Sequence, residues 1–146
     1  MLQRPVVVAA IDFSSVSARV AEEAARLARG VGADLTLLHV TPPGSNPRDH
    51  EILVEERRTR LDSIARPLRQ PGLHVRSHVQ FGDAAEEILR ELSIERAEFL
   101  VLGTRARSGL GRFLMGSVAD EMMRHAPCPV LAIRESPAGD VAMETS

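Results

Sequence analysis

Val6-Val7-Val8-Ala9-Ala10-Ile11-Asp12 is an unbroken apolar run, rich in β-branched residues, that stops on a carboxylate. A strand with one wet face alternates apolar and polar side chains. A run that is apolar throughout is covered on both faces, as in the middle of a parallel sheet. Downstream, Ser14 or Ser15 is placed to cap a helix whose apolar stripe is Val16, Val20, Ala24, Leu27, Ala28 and Val31, closed by Gly30 and Gly32. Leu35 to Val40 reads as a second buried strand, and the proline-rich stretch Thr41 to Pro47 as a loop.

The same alternation continues. Asp49 to about Leu68 is an amphipathic helix, with Val54, Leu61, Ile64, Ala65 and Leu68 on one side. Pro71-Gly72 breaks the chain, and His74 to Val79 is a half-exposed outer strand. Asp83 with Glu86 forms a capping-box variant ahead of a helix bearing Ala85, Ile88, Leu89 and Leu92. Phe99 to Leu102 is the fourth strand. Ser117 with Asp120 reads as a capped helix start, with Val118, Met122 and Ala126 on one face. Pro129 to Ile133 is the fifth strand. Strict β-α alternation means an α/β fold of parallel strands, right-handed crossovers and helices on both faces. We expect one domain over residues 1–135 and a flexible tail over residues 136–146, with no internal repeat.

Composition narrows the function. At 146 residues with 44% hydrophobic and 26% charged residues, the chain has ordinary globular make-up. A net charge of −2 gives no footprint for nucleic acid or an anionic membrane surface. All 18 basic residues other than histidine are arginine, so Schiff-base chemistry and a P-loop lysine are excluded. The single cysteine, Cys128, allows neither an internal disulfide nor a cysteine-rich metal site. The first apolar run is too short for a signal peptide and ends in Asp12. No stretch approaches the roughly 20 apolar residues of a membrane span. The expected location is the cytoplasm, with no membrane and no nucleic-acid partner.

In open α/β sheets ligands bind beyond the carboxyl ends of the strands, where strand order reverses. Asp12 ends the first strand and Gly103 the fourth. If strand four lies beside strand one, these ends flank one crevice. Gly103 is read as a sharp turn off the strand. Gly116 lets an anion approach the helix beginning near Ser117, whose N-terminal N–H groups and hydroxyl suit a phosphate. Arg105, Arg107 and Arg112 in the intervening loop carry charge that screens phosphate.

The loop resembles the signature of the universal stress protein family: Gly, two residues, Gly, nine residues, then Gly and Ser or Thr. This chain has Gly103, two residues, Ala106, nine residues, Gly116 and Ser117. Also similar to the family are Val8-Ala-Ala-Ile-Asp12-Phe-Ser14, Ala33-Asp-Leu-Thr-Leu-Leu-His-Val40, Gly82-Asp-Ala-Ala-Glu-Glu-Ile88, Leu114-Met-Gly-Ser-Val-Ala-Asp120 and His125-Ala-Pro-Cys-Pro-Val-Leu-Ala-Ile133. The resemblance runs from about Val6 to Arg134. It implies a five-stranded sheet in the order 3-2-1-4-5, a homodimer paired through the last strand, and binding of ATP or a related adenine nucleotide, with Mg²⁺ as a possible companion. Carried over by position, Asp12 meets the ribose or adenine side and Val40 lines the adenine pocket. Gly103, Gly116, Ser117 and Val118 hold the phosphates, largely through backbone N–H groups. Ala10, Ile11, Thr104, Arg105, Ala106 and Arg107 complete the expected nucleotide-binding set. The implied role is a dimeric regulator of a stress response whose loop is read by a downstream protein partner of unknown identity.

Two positions depart from the pattern. Ala106 stands where the signature has its second glycine, and Ala10 where nucleotide-binding members often carry proline. Both leave open a nucleotide-free dimeric scaffold of the same fold. A small hydrolase or transferase acting on adenylated compounds is a third reading that the fold alone allows. No catalytic residue is assigned, because the chain lacks a Gly-x-Ser-x-Gly elbow and a metal-binding cluster. Any ATP hydrolysis is slow and incidental.

Plainer readings stand beside these. Asp12 also serves as a cap for the turn after strand one, and Gly116-Ser117 as a tight helix entry. The loop arginines also read as a solvated surface. His74 and His78 share one strand face, which reads as exposed rather than metal-binding. His39 has a core or hydrogen-bonded role, Cys128 is packed and inert, and Met115, Met122 and Met123 serve core or dimer packing. Pro129 to Ile133 is apolar on both faces yet lies at an edge in this topology, so a partner chain is its expected cover.

Overall fold

In the computed structural model the described residues are 3–42, 46–104 and 116–134. They form β1 (Val6–Ala10), α1 (Ser17–Val31), β2 (Asp34–Thr41), α2 (Pro47–Ala65) with a 3₁₀ turn over Arg66–Leu68, and β3 (Val75–Phe81). Then follow α3 (Ala84–Glu95), β4 (Phe99–Thr104), α4 (Ser117–His125) and β5 (Val130–Arg134). The five strands are parallel in the order β3-β2-β1-β4-β5.

The two-residue period of a strand sorts the first apolar run into two cores. Val7 and Ala9 join Leu35, Leu37 and Val101 under α1 and α2. Val6 and Val8 join Leu38, Leu100 and Leu102 under α3 and α4. α1 meets the sheet through Ala21, Ala24, Ala25 and Ala28, all 1% exposed or less, so its backbone lies close to the strands. Leu61 and Ala65 anchor α2, Ile88 and Leu92 anchor α3, and Ala119 and Met122 anchor α4.

Several local expectations are corrected. Val31 is not part of the buried stripe but 43% exposed. Gly32, at φ 70°, turns the chain back, and Ala33 takes the inward place. Neither Ser14 nor Ser15 caps α1. Its N-cap is Val16, with no side-chain hydrogen bond. Thr41 belongs to β2, and Pro47 is the first residue of α2, where its missing N–H costs nothing. Asn46 caps that helix by accepting from the Asp49 N–H at 3.0 Å. The Asp83 cap is present, its carboxylate accepting from the Glu86 N–H at 3.1 Å.

Candidate functional site

β1 and β4 are neighbours in parallel register, Val7 opposite Phe99 and Ala9 opposite Val101, so their carboxyl ends lie side by side. Strand order reverses here, because β2 follows β1 on one side while β4 returns on the other. α1 leaves the end of β1, and α4 must run back to start the parallel strand β5. Both helix N-termini therefore stand at the carboxyl edge of the sheet. α1 covers one face and α4 the other.

The end of β1 is tightly specified. Ala10 closes the strand and is half-buried, while Ile11 is buried and continues the pairing, its N–H donating to the Leu38 carbonyl at 2.8 Å. His39 Nδ1 lies 2.7 Å from the Ile11 carbonyl oxygen. Burial is the main influence lowering the His39 pKa, and the charges of Arg57 and Arg60 act the same way. The Ile11 bond and Asp12 oppose it. The imidazole is therefore neutral, with Nδ1–H donating to Ile11. Phe13 sits at φ 63°, which brings its ring to 4.3 Å from His39 and under the Arg60 guanidinium at 4.2 Å.

That backbone turn presents Asp12. Its Oδ1 accepts from the Ser14 N–H at 2.9 Å and from the Ser17 hydroxyl at 3.2 Å. Asp12 thus has the local turn-capping role, and its carboxylate is held at the carboxyl edge while remaining exposed. Val40 is half-buried and packs on the α3–α4 side.

On the β4 side the expected turn at Gly103 is not found. Gly103 lies within the strand, opposite Ile133, and its φ is not positive. It is small for packing: a Cβ there would lie 2.6 Å from Val16 Cγ1. Thr104, buried, donates from its hydroxyl to the Ile133 carbonyl at 3.4 Å. Arg105, Ala106, Arg107, Arg112 and Met115 fall outside the described residues.

Ser117 is not the cap of α4 but its first residue, and its side chain is exposed. Gly116 is the N-cap, at φ −61° and ψ 158°, and gives no side-chain cap. The Asp120 N–H donates back to the Gly116 carbonyl at 3.0 Å, which leaves the earlier N–H groups of the first turn without intrahelical acceptors. Val118 is half-buried against the core. The arrangement offers amide donors on one side of the strand-order reversal and an oriented carboxylate on the other.

The remaining histidines and the cysteine stand elsewhere. His78 is exposed on β3 and His74 is exposed just ahead of that strand, and among the described residues no group of three His, Cys, Asp or Glu side chains could hold a metal ion. Cys128 is half-buried, and burial, aided by the charge of Glu98, raises its thiol pKa. Met122 is fully buried, whereas Met123 is 51% exposed. No helix among the described residues is long and apolar enough to cross a membrane.

Sequence reasoning missed Ser17, a side-chain donor to Asp12, and the inward-facing carboxylates Glu91 and Glu95. Ser17 had the spacing to reach back from the first turn of α1. Glu91 and Glu95 stand three and seven residues after Ile88, on the stripe assigned to the core.

Residues 4–134 match the Universal stress protein family. Universal stress protein MJ0531 of Methanocaldococcus jannaschii is 29% identical over 133 residues, covering 85% of this chain and 78% of that protein. A universal stress protein structure from Archaeoglobus fulgidus superimposes with a TM-score of 0.76 at 28% identity, covering 90% of this chain and 99% of the other. An A. fulgidus universal stress protein in complex with dAMP has a TM-score of 0.70 at 27% identity, covering 91% and 99%.

Proposed function

Since this chain belongs to the universal stress protein family, we propose that it is an adenine-nucleotide-binding regulator of a stress response. The nucleotide lies across the carboxyl edge between β1 and β4. The observation that carries this reading is the N-terminus of α4 at Gly116, without a side-chain cap among the described residues, at the same sheet edge as the oriented Asp12 carboxylate. The dAMP complex of a relative with this fold supports the ligand class.

In this reading the amides of Ser117 and Val118 and the Ser117 hydroxyl take the phosphates, where helix polarity favours negative charge. Gly103 and Thr104 lead the chain from β4 into the phosphate loop. Arg105 and Arg107 supply counter-charge, and Ala106, in the place of the signature's second glycine, completes the set. Ala10, Ile11 and Asp12 meet the ribose or adenine side, and Val40 borders the adenine. ATP is the preferred nucleotide, and Mg²⁺ arrives with the triphosphate rather than in a site built from protein carboxylates. The protein acts as a dimer paired through β5, an edge strand on which Leu131 is 41% exposed. Occupancy of the nucleotide site biases the loop before α4, and a protein partner reads that surface.

Calorimetric titration of ATP and dAMP, with and without Mg²⁺, tests the reading. Saturable binding is expected. At a ligand concentration 100 times Kd the linked stabilisation is about 2.7 kcal/mol, an upward Tm shift of several degrees. Gly116→Val is compatible with φ −61° and adds bulk beside the amides, so affinity should fall at least about tenfold with Tm in the ligand-free protein unchanged. Neither heat nor thermal shift at millimolar nucleotide would overturn the proposal in favour of a nucleotide-free scaffold.

A further inference from the structure

α3 turns two carboxylates toward the sheet. Glu91 is 6% exposed, and the Glu95 side chain, one helical turn on, is 9% exposed. From β3, Arg76 Nη2 donates to Glu95 Oε1 at 2.6 Å and to Thr36 Oγ1 at 3.3 Å. From β2, the Thr36 hydroxyl donates to the same Glu95 oxygen at 2.8 Å. His78 Nδ1 stands 3.4 Å from Glu91 Oε2. One turn earlier on α3, Glu87 is 3.6 Å from Arg90 Nη2. The described core residues that β1 and α4 bring to this layer, Val6, Val8, Ala119 and Met122, are apolar.

The charges in this seam do not balance. Arg76 is committed to Glu95, and a second buried negative charge on Glu91 would repel it. Meanwhile Glu95 Oε2 is buried and accepts no hydrogen bond among the described residues. An unfilled buried acceptor is costly, as is an unpaired buried charge. A proton on Glu91 removes the repulsion and supplies the missing donor. We propose that Glu91 keeps its proton at neutral pH and donates it to the unfilled Glu95 oxygen, and that this proton latches α3 onto the β2–β3 edge, so that alkaline pH releases the latch.

Burial first, then the hydrogen bond to Glu95 and the charges of Glu95 and Glu87, raise the Glu91 pKa from its ordinary 4.5 to about 8, with Arg76 opposing. The native state therefore keeps a proton that the unfolded chain releases above about 4.5. Stability from this group is full below that value, falls as pH rises toward about 8, and levels off above it. Across the window the unfolding constant rises about tenfold per pH unit.

Denaturant unfolding of wild type and Glu91→Gln from pH 5 to 9 tests the latch. The amide introduced by Glu91→Gln keeps a donor for Glu95 and has no charge to gain, so the ratio of the two unfolding constants should climb about tenfold per unit up to about pH 8. A constant ratio overturns the proposal. Independently of any variant, ¹³C NMR of the wild-type glutamate carboxyls should show Glu91 protonated at pH 6.5. Titration of Glu91 in the ordinary carboxylate range would refute it. Amide exchange, corrected for intrinsic rates, should accelerate between pH 7 and 9 more in α3 than in α1. Equal change in the two helices would deny the release of α3.

Discussion

Adding one carbon at Gly103 should destabilise this protein for a reason specific to its packing. The Cβ of Gly103→Ala would meet Val16 Cγ1 at 2.6 Å, while Val20 Cγ2 at 3.5 Å and the Ile133 carbonyl at 3.8 Å are ordinary contacts. A carbon pair needs about 3.5–4.0 Å, so close to an ångström must be found. Val16 is 6% exposed and β-branched, so it has little rotamer freedom with which to yield. The start of α1 must then move off β4. Overpacking of this kind costs about 1–3 kcal/mol. For a chain of this size that is about 2–4 °C in Tm per kcal/mol, read by urea unfolding and calorimetry. Val16→Ala deletes the clashing methyl. On its own it costs about 1.6 kcal/mol in lost burial. In its background, however, Gly103→Ala should cost almost nothing, giving a coupling of about 1–3 kcal/mol. If Gly103→Ala is neutral, or if the two changes simply add, the packing explanation is wrong. A glycine needed for backbone conformation would not be rescued by Val16→Ala.

Burial holds the His39 pKa below 6.5, so the unfolded chain binds a proton that the native state refuses. The His39 contribution to stability should therefore fall as pH drops below about 6.5, by up to about 1.4 kcal/mol per unit, and should vanish in His39→Gln. Parallel acid-limb slopes for the two proteins by circular dichroism would contradict it. Leu131→Arg places a charge on the exposed face of the β5 edge, so light scattering at high micromolar concentration should show a dimer for wild type and a monomer for the variant. A wild-type monomer, or a dimer that survives the change, would remove β5 as the pairing surface.

The layered fold was legible because its signal is local and repeated. The unbroken run from Val6, the apolar stripe of α1 as far as Ala28 and the Asp83 cap each state their structure within a few residues. The carboxyl-edge location of Asp12 and Ser117 followed from strand alternation. What local pattern did not reveal depends on partners far away in sequence. Gly103 looked like a turn because glycine permits one, yet its need is set by Val16 on the neighbouring helix. Ser117 looked like a cap because serine suits that place, but Gly116 occupies it and brings no side-chain cap. Glu91 and Glu95 were not singled out in the sequence, although they share the spacing of Ile88 and Leu92. Glu95 is held by Arg76 and Thr36, which strand pairing alone brings opposite each other.

The most direct test of nucleotide binding at the carboxyl edge is an amide ¹H–¹⁵N titration with ATP and Mg²⁺. The account predicts saturable shifts centred on Ile11 to Phe13 and on Gly116 to Val118, one group from each side of the β1–β4 boundary. Shifts confined to other surfaces, or a spectrum unchanged at millimolar ATP, would contradict it.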